Sequence, residues 1–277
     1  MTYRRITAFP FVWAGLFLVL ALFTPVEARR PIYVVANEAS KALAAIGCFV
    51  AAYTFERGDY MRRAWSFNAW CYLLLLCRDV TLNLVAPGTP IFGGHATIEI
   101  IEGNLALLAN VSSVWGTWLL ARAWSIAGLE FPGSRAAKLT LIAVAAAFAF
   151  TVSGTDLVID ARVLLGGDLG SLHGVASDLG DTFGLCLLAP MILTALAMTG
   201  GVLRWPWGLL TACLVFWLFY DAMATFDHFA PGHEVATRLA RECFRALACA
   251  CECAAGLAQR RVVTALPEDG EFEVGDA

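Results

Sequence analysis

Long runs of apolar residues are the feature that most constrains how this chain can fold. Each run has about twenty residues, enough for a helix to cross a hydrocarbon core of roughly 30 Å. Only 15% of the 277 residues are charged, against about 25% in a soluble domain. A segment inside a membrane must satisfy its own backbone hydrogen bonds, and these runs lack the alternation of barrel strands. The sequence therefore predicts an all-α fold, a polytopic transmembrane helical bundle.

The apolar runs divide the chain into three predicted parts. Residues 1–28 hold a short apolar segment, and residues 29–261 form a transmembrane domain of seven core helices. Residues 262–277 are acidic and interrupted by Pro and Gly, so we expect a disordered cytoplasmic tail. The seven predicted spans are residues 32–55, 64–85, 96–124, 137–158, 174–203, 205–226 and 234–259.

The first run, residues 9–23, allows two interpretations. Arg4 and Arg5 precede it, and Val26 and Ala28 behind it occupy the small-residue positions of a signal-peptide cleavage site. The run can also be a short first transmembrane helix that is retained and enters from the cytoplasm. With either interpretation the next helix starts on the external side.

The basic residues of the short loops predict the orientation in the membrane, because Lys and Arg collect on the cytoplasmic side. They occur in alternate loops, at Arg57, Arg62, Arg63, Arg122, Arg135, Lys138, Arg204, Arg260 and Arg261. Of the opposite loops, residues 86–95 have no basic residue and residues 156–173 have one. Only Arg29 and Arg30 break the pattern. We therefore expect a multi-pass protein of the cell (inner) membrane with a cytoplasmic C-terminus.

Charged residues inside the predicted spans lie mostly in their external halves. The last span has the most, since Glu234, Arg238, Arg241, Arg245 and Glu252 recur at intervals that return to one side of a helix. An amphipathic helix lying on the membrane surface would have the same pattern. A span is favoured because it places the basic pair at 260–261 on the cytoplasmic side.

A buried network of charges is expected where the polar stripes of the helices meet. A charge in a membrane helix costs about 2.5–3.5 kcal/mol, so such residues pair with one another or line a wet cavity. The candidate ligand-binding residues are Glu38, Lys41, Arg78, Asp79, Glu99, Glu102, Asp178, Asp181, Asp221, Arg238, Arg241 and Arg245. Because acids outnumber bases, some carboxyl groups must be protonated or bind a cation. Such a network can also simply hold helices in register.

A divalent metal site is a further hypothesis. His228 lies at the external level and could share an ion with three carboxylates, those of Asp178, Asp181 and Asp221. The sequence has no HExxH or ExxH pattern to support it. Any other cofactor is unknown at this stage.

Two families of seven-helix membrane proteins do not fit. The helix number and orientation are similar to those of microbial rhodopsins, but the only lysines are Lys41 and Lys138. The last helix has no lysine, so no retinal Schiff base is expected. Membrane ceramidase-like hydrolases have a late HxxxH pair, whereas His228 and His233 are five residues apart.

Three functions remain compatible with the sequence. The first is a receptor-like or ligand-binding protein whose charged pocket opens to the extracytoplasmic side. The second is an intramembrane hydrolase-type enzyme at the outer leaflet, with or without a metal. The third is a transporter for a small cationic or polar solute, although the internal halves offer few polar residues beyond Asn68, Asn110 and Glu252.

The expected partners follow from these functions. They are the lipid bilayer, a small polar or cationic ligand and, because no cytoplasmic output domain is attached, a partner membrane protein. No nucleic-acid partner is expected.

Overall fold

The chain is helical throughout the part that the structure describes. The computed structural model describes residues 2–84, 95–128, 133–168, 171–198, 201–229 and 232–265, with backbone alone at 83–84, 95–100, 173 and 227–229. The helices are α1 (Tyr3–Phe23), α2 (Arg30–Ala52), α3 (Tyr60–Leu84), α4 (His95–Ala121), α5 (Ala123–Ile126), α6 (Arg135–Val152), α7 (Gly154–Leu165), α8 (Leu172–Cys186), α9 (Leu188–Ala197), α10 (Arg204–Phe229) and α11 (Glu234–Ala265). A short 3-10 turn lies between α1 and α2. The prediction of an all-α fold is confirmed for these residues, which contain no strand.

Membrane-spanning character extends over much of this fold. Within the described residues, the helical stretches long and apolar enough to cross a membrane are Tyr3–Phe23, Arg30–Ala52, Arg135–Val152, Gly174–Ala197 and Arg204–Phe226. Helices α3, α4 and α11 are not among these five, although the apolar runs predicted spans there. A count of seven core spans therefore stays a prediction.

Helix α11 occupies the centre of the helix bundle. It packs against α10, α2 and α1, while α3 packs between α2 and α4, and α8 packs on the far side of α4. Ala248, Cys249, Ala254 and Ala258 on α11 are completely buried. The C-terminal half of α11 therefore lies in the interior of the bundle. This half is not a helix that lies on the outside of the bundle.

Glycine allows α11 to approach α2 closely. A Cβ atom added at Gly47 of α2 would stand 2.7 Å from the carbonyl oxygen of Cys253, and one added at Gly256 would overlap the backbone of Gly47. Small residues at facing positions let membrane helices pack backbone against backbone. This contact fixes the position of α11 along α2, and with it the positions of the charged residues on both helices.

Two predicted spans are interrupted, and one predicted loop contains a further helix. The span at 137–158 breaks at Ser153, and α7 then continues to Leu165 through a segment that we expected to be an external loop. Asp156 in the first turn and Arg162 in the last turn suit the dipole of this additional helix. The span at 174–203 breaks at Leu187 and ends at Ala197. Pro190 has no N–H for the carbonyl group of Cys186, so the helix ladder is interrupted at this point.

Helix α1 is longer than its apolar run. It begins at Tyr3 rather than at residue 9, so the short first segment was predicted with the wrong start. The indole N–H of Trp13 donates to the hydroxyl of Ser40 on α2 at 2.8 Å. The ring of Tyr3 stacks on Trp205 of α10, with 5.9 Å between the centroids. These contacts join α1 to α2 and α10. Whether the segment is a signal peptide or a retained helix stays open.

Candidate functional site

A cavity of about 310 Å³ lies between α2, α3, α4, α8, α10 and α11. Six of the predicted ligand-binding residues line it, namely Lys41, Arg78, Asp79, Asp181, Asp221 and Arg245. They come from the middle of α2, the C-terminal halves of α3 and α10, the central part of α8 and the N-terminal half of α11. The structure therefore brings together, from separate helices, charged residues that lie far apart in the sequence.

Helical spacing explains why these side chains share one space. On α8 the cavity wall is formed by Ser177, Gly180, Asp181 and Gly184, which are three or four residues apart and so face one direction. The two glycines leave room beside the carboxylate. At Gly180, α8 lies close to α4, where the amide of Asn110 donates to the carbonyl group of Ala176 at 2.8 Å.

Two cations of the wall are neutralised by carboxylates. The ammonium group of Lys41 forms an ion pair with Asp79, and the side-chain amide of Asn37 donates to the same carboxylate oxygen at 3.2 Å. The Nη2 and Nε atoms of Arg78 donate to one oxygen of Glu102 at 2.7 and 3.2 Å. Glu102 therefore contributes to the site by holding Arg78, although it does not line the cavity.

Two arginines of α11 hold one tyrosine of α10. The hydroxyl of Tyr220 accepts hydrogen bonds from Arg241 at 3.2 Å and from Arg245 at 3.0 Å. Both guanidinium carbons lie 4.8 Å from the centre of its ring, a distance at which cation–π attraction is effective. Arg245 also forms an ion pair with Glu242 at 3.0 Å. All three cations that line the cavity thus have a carboxylate partner.

Two carboxylates of the wall have no such partner. Neither Asp181 nor Asp221 forms a side-chain hydrogen bond or an ion pair with another described residue. The two carboxylates act on each other electrostatically across the cavity. Arg78 acts on Asp181 in the same way without contacting it, and Arg241 acts on Asp221. The cavity therefore contains two acidic groups whose charge no direct contact neutralises.

Asp178 does not line this cavity, contrary to the expectation that it and Asp181 are directed at a common point. It shares a face of α8 with Gly174, where the side chain of Asp160 on α7 packs closely enough to exclude a Cβ atom. Asp156 and Asp160 are electrostatic neighbours of Asp178. Asp178 therefore lies on the side of α8 that faces Asp160, although it still acts electrostatically on Asp181 and Asp221.

Other predicted residues lie around the cavity rather than in its wall. Arg241 reaches Tyr220 from the next pocket along α11, and Arg238 lies over the ring of Tyr33 at 5.5 Å. Glu38 is one turn before Lys41 on α2 and acts on it electrostatically. Glu99 falls outside the described side chains.

The metal hypothesis stays a prediction. Among the described side chains, no group of three or more His, Cys, Asp and Glu is arranged to hold a metal ion. The side chain of His228 lies outside the described set, and Asp178 is separated from the cavity that Asp181 and Asp221 share.

Sequence analysis missed three residues that shape the site: Ser177, Tyr220 and Glu242. The spacing of Glu242 and Arg245, three residues apart on one helix, is a recognisable ion-pair signal. Tyr220 precedes Asp221 and could have been placed beside it. No pattern in the sequence indicated that Tyr220 would accept from two arginines.

Below the cavity, the helices close around Glu252. Trp217 donates to the hydroxyl of Tyr72 at 3.4 Å, and that hydroxyl lies 3.6 Å from the sulfur of Cys213. The thiol of Cys48 donates to the carboxyl group of Glu252 at 3.4 Å. Glu252 is only 5% exposed. The bundle also contains polar groups below the cavity, but these groups are packed against one another.

Comparison with protein-family models, with curated proteins and with solved structures found no match for this chain. The chemistry of the cavity is therefore the basis for a functional assignment. A cavity with two uncompensated carboxylates attracts a positively charged group. It can hold that group with charge-assisted hydrogen bonds, which are about twice as strong as neutral ones.

Proposed function

We propose that the protein is a receptor-like, ligand-binding protein of the cell membrane whose cavity takes up a small cationic ligand from the external side. The observation that carries this proposal is that the cations of the cavity wall are paired with carboxylates, whereas, among the described residues, two carboxylates of the wall are not paired with cations. The three cations of the wall each have a carboxylate partner, whereas Asp181 and Asp221 have none among the described residues.

The physical argument concerns the cost of burying charge. An ionised carboxylate that leaves water without a partner is strongly unfavourable in a low-dielectric interior. A bound ammonium group would restore the missing interactions of Asp181 and Asp221. A primary amine suits the site, because it has three donors for the oxygens of two carboxylates.

The proposal includes a topology of seven spans with a cytoplasmic C-terminus. The Lys and Arg residues of alternate loops support this orientation. The cavity-lining charges lie in the halves of α2, α3, α10 and α11 that this orientation directs outward. Because Tyr72 of the cavity wall is in contact with the buried Cys213, and Glu252 is buried as well, binding from one side is favoured over passage.

Binding of 1,4-diaminobutane to the purified protein in lipid nanodiscs tests the proposal. We expect the diamine to raise the melting temperature by mass action. We expect Asp181→Asn and Asp221→Asn each to weaken its affinity at least tenfold. Asp178→Asn is the comparison variant, since it makes the same chemical change on α8 at a residue that acts on Asp181 and Asp221 only electrostatically, and it should weaken the affinity less than either of those changes.

Proteoliposomes loaded with buffer separate binding from transport. Labelled 1,4-diaminobutane should bind to wild type without accumulating inside the vesicles. Saturable uptake that Glu252→Gln abolishes would favour the transporter instead. Absence of any binding, or equal losses in Asp178→Asn and Asp181→Asn, would contradict the proposed amine site.

A further inference from the structure

The cavity has a basic neighbour on its external side. A second pocket of about 370 Å³, the outer vestibule, is lined by Glu234, Arg238, Arg241, Glu242 and Arg245 of α11. Arg245 lines both spaces, so the vestibule adjoins the cavity directly. The vestibule lies along the first turns of α11, toward the end of the bundle that the proposed topology places outside.

In the cavity, two carboxylates have no ion-pair partner among the described residues. In the outer vestibule, the groups without such a partner are arginines. Glu242 is already paired with Arg245, and Glu234 accepts from the backbone N–H of Gly232 at 3.2 Å. Neither Arg238 nor Arg241 forms an ion pair with a described carboxylate. Each contacts only an aromatic ring or hydroxyl. Among the described residues, the exposed Arg238 and the half-buried Arg241 therefore have no anionic partner.

Buried donors without acceptors provide a separate indication. The Nε atoms of Arg241 and Arg245 are both buried, and neither has a hydrogen-bond acceptor. A buried N–H group without an acceptor is unfavourable, and more so when it is charged. A carboxylate or phosphate of a ligand is the partner that arginine donors bind best.

The two unbalanced regions adjoin each other, because Arg245 lines both of them. Arg241 and Arg245 act electrostatically on Asp221, yet no guanidinium nitrogen of either comes within ion-pair distance of it. Tyr220 stands between them, held by both arginines and adjacent in sequence to Asp221. Resting on the proposed function, we infer that the ligand is a zwitterion, an amine with a carboxylate or similar anionic group. Its amine contacts Asp181 and Asp221, and its anionic group contacts Arg238 and Arg241.

Four-carbon probes that differ only in charge test this inference. They are 4-aminobutanoate, which has both charges, n-butylamine, which has only the amine, and succinate, which has two carboxylates. Their dissociation constants are measured by calorimetry with the full-length protein in nanodiscs. We expect 4-aminobutanoate to bind at least tenfold more tightly than n-butylamine, and succinate to bind most weakly.

Variants then assign each end of the ligand. Asp221→Asn should weaken both amines, whereas Arg241→Gln should remove the advantage of 4-aminobutanoate without weakening n-butylamine. Arg57→Gln, at an exposed loop residue, is the matched control. If Arg241→Gln does not fold, Arg238→Gln and the wild-type comparison of the two amines still decide the question.

The outcomes distinguish this inference from the function on which it rests. Equal affinity of wild type for n-butylamine and 4-aminobutanoate would overturn the zwitterion and leave the amine site intact. Binding of neither amine would overturn both.

Discussion

At the scale of single residues, the cavity is organised by ion pairs that join neighbouring helices. Lys41 on α2 binds Asp79 on α3, and Arg78 on α3 binds Glu102 on α4. Each pair keeps a cation away from Asp181 and Asp221, which stay available for a ligand. Removing one member of a buried pair leaves the other as an uncompensated charge, and this is strongly destabilising.

Replacement of Lys41 should reveal this cost. Lys41 is 4% exposed, so Lys41→Met leaves Asp79 buried without its cation, and we expect a loss of about 3–5 kcal/mol in the free energy of unfolding. Denaturation of the detergent-solubilised protein measures the change. Arg57→Met, at an exposed residue, should change stability by less than about 0.5 kcal/mol.

The double variant Lys41→Met, Asp79→Asn provides the internal control. It removes both charges, so it should be markedly more stable than the sum of the two single changes predicts. Strict additivity would mean that the pair makes no net interaction, and the charge assignment of the cavity would then have to change.

The charged residues of the cavity wall were predictable as far as helix periodicity determines the side of the helix on which a residue lies. Arg78, Asp79, Asp221 and Arg245 lie on polar stripes of otherwise apolar helices, and a membrane protein directs such stripes inward. Periodicity alone could not separate Asp178 from Asp181. The difference between them depends on α7, a helix that hydropathy did not predict. Which carboxylates stay unpaired is likewise a property of the assembled bundle.

At the scale of helices, the contact between α2 and α11 sets the geometry of the site. Lys41 lies about two turns before Gly47 on α2, and Arg245 lies about three turns before Gly256 on α11. A shift at the glycine contact would therefore move cations in the cavity wall.

Alanine at Gly47 should destabilise the protein. The added Cβ atom would meet the backbone of Cys253, and overpacking of this kind costs about 1–3 kcal/mol. The melting temperature in nanodiscs measures the effect. Gly15 of α1 is the matched control, because nothing lies within 4 Å of an added Cβ there. Gly15→Ala should leave stability unchanged or raise it by about 0.5–1 kcal/mol. Equal changes in the two variants would contradict close packing at Gly47.

Helix existence was easier to predict than helix continuity. Apolar runs reveal where the chain is buried in lipid, and they predicted α2, α3, α4 and α10 within a few residues of their observed starts. Hydropathy does not report whether one run contains one helix or two. The break at Leu187 has a local cause in Pro190 and was predictable from the sequence. The break at Ser153 is not explained by any proline.

At the scale of the whole molecule, the most polar of the long helices is also the most enclosed. Helix α11 carries Arg238, Arg241, Arg245 and Glu252, yet α1, α2 and α10 surround it. Its polar groups bind Tyr220, Glu242 and Cys48, which are protein groups rather than lipid. Its place in the bundle therefore depends on the helices around it.

This enclosure has a consequence for biogenesis. Arg costs about 2.5–3.5 kcal/mol at the centre of an inserting helix, while each Leu, Phe or Val returns only about 0.3–0.6 kcal/mol. We expect α11, translated alone in a host protein with glycosylation sites on either side, to fail to span microsomal membranes, whereas α10 spans them. Within the full chain α11 should span, because it is made after all its partners. Insertion of isolated α11 as efficient as that of α10 would contradict this order of assembly. With the expected result, synthesis in chain order places α1, α2 and α10 in the bilayer before α11, the helix whose insertion depends on them.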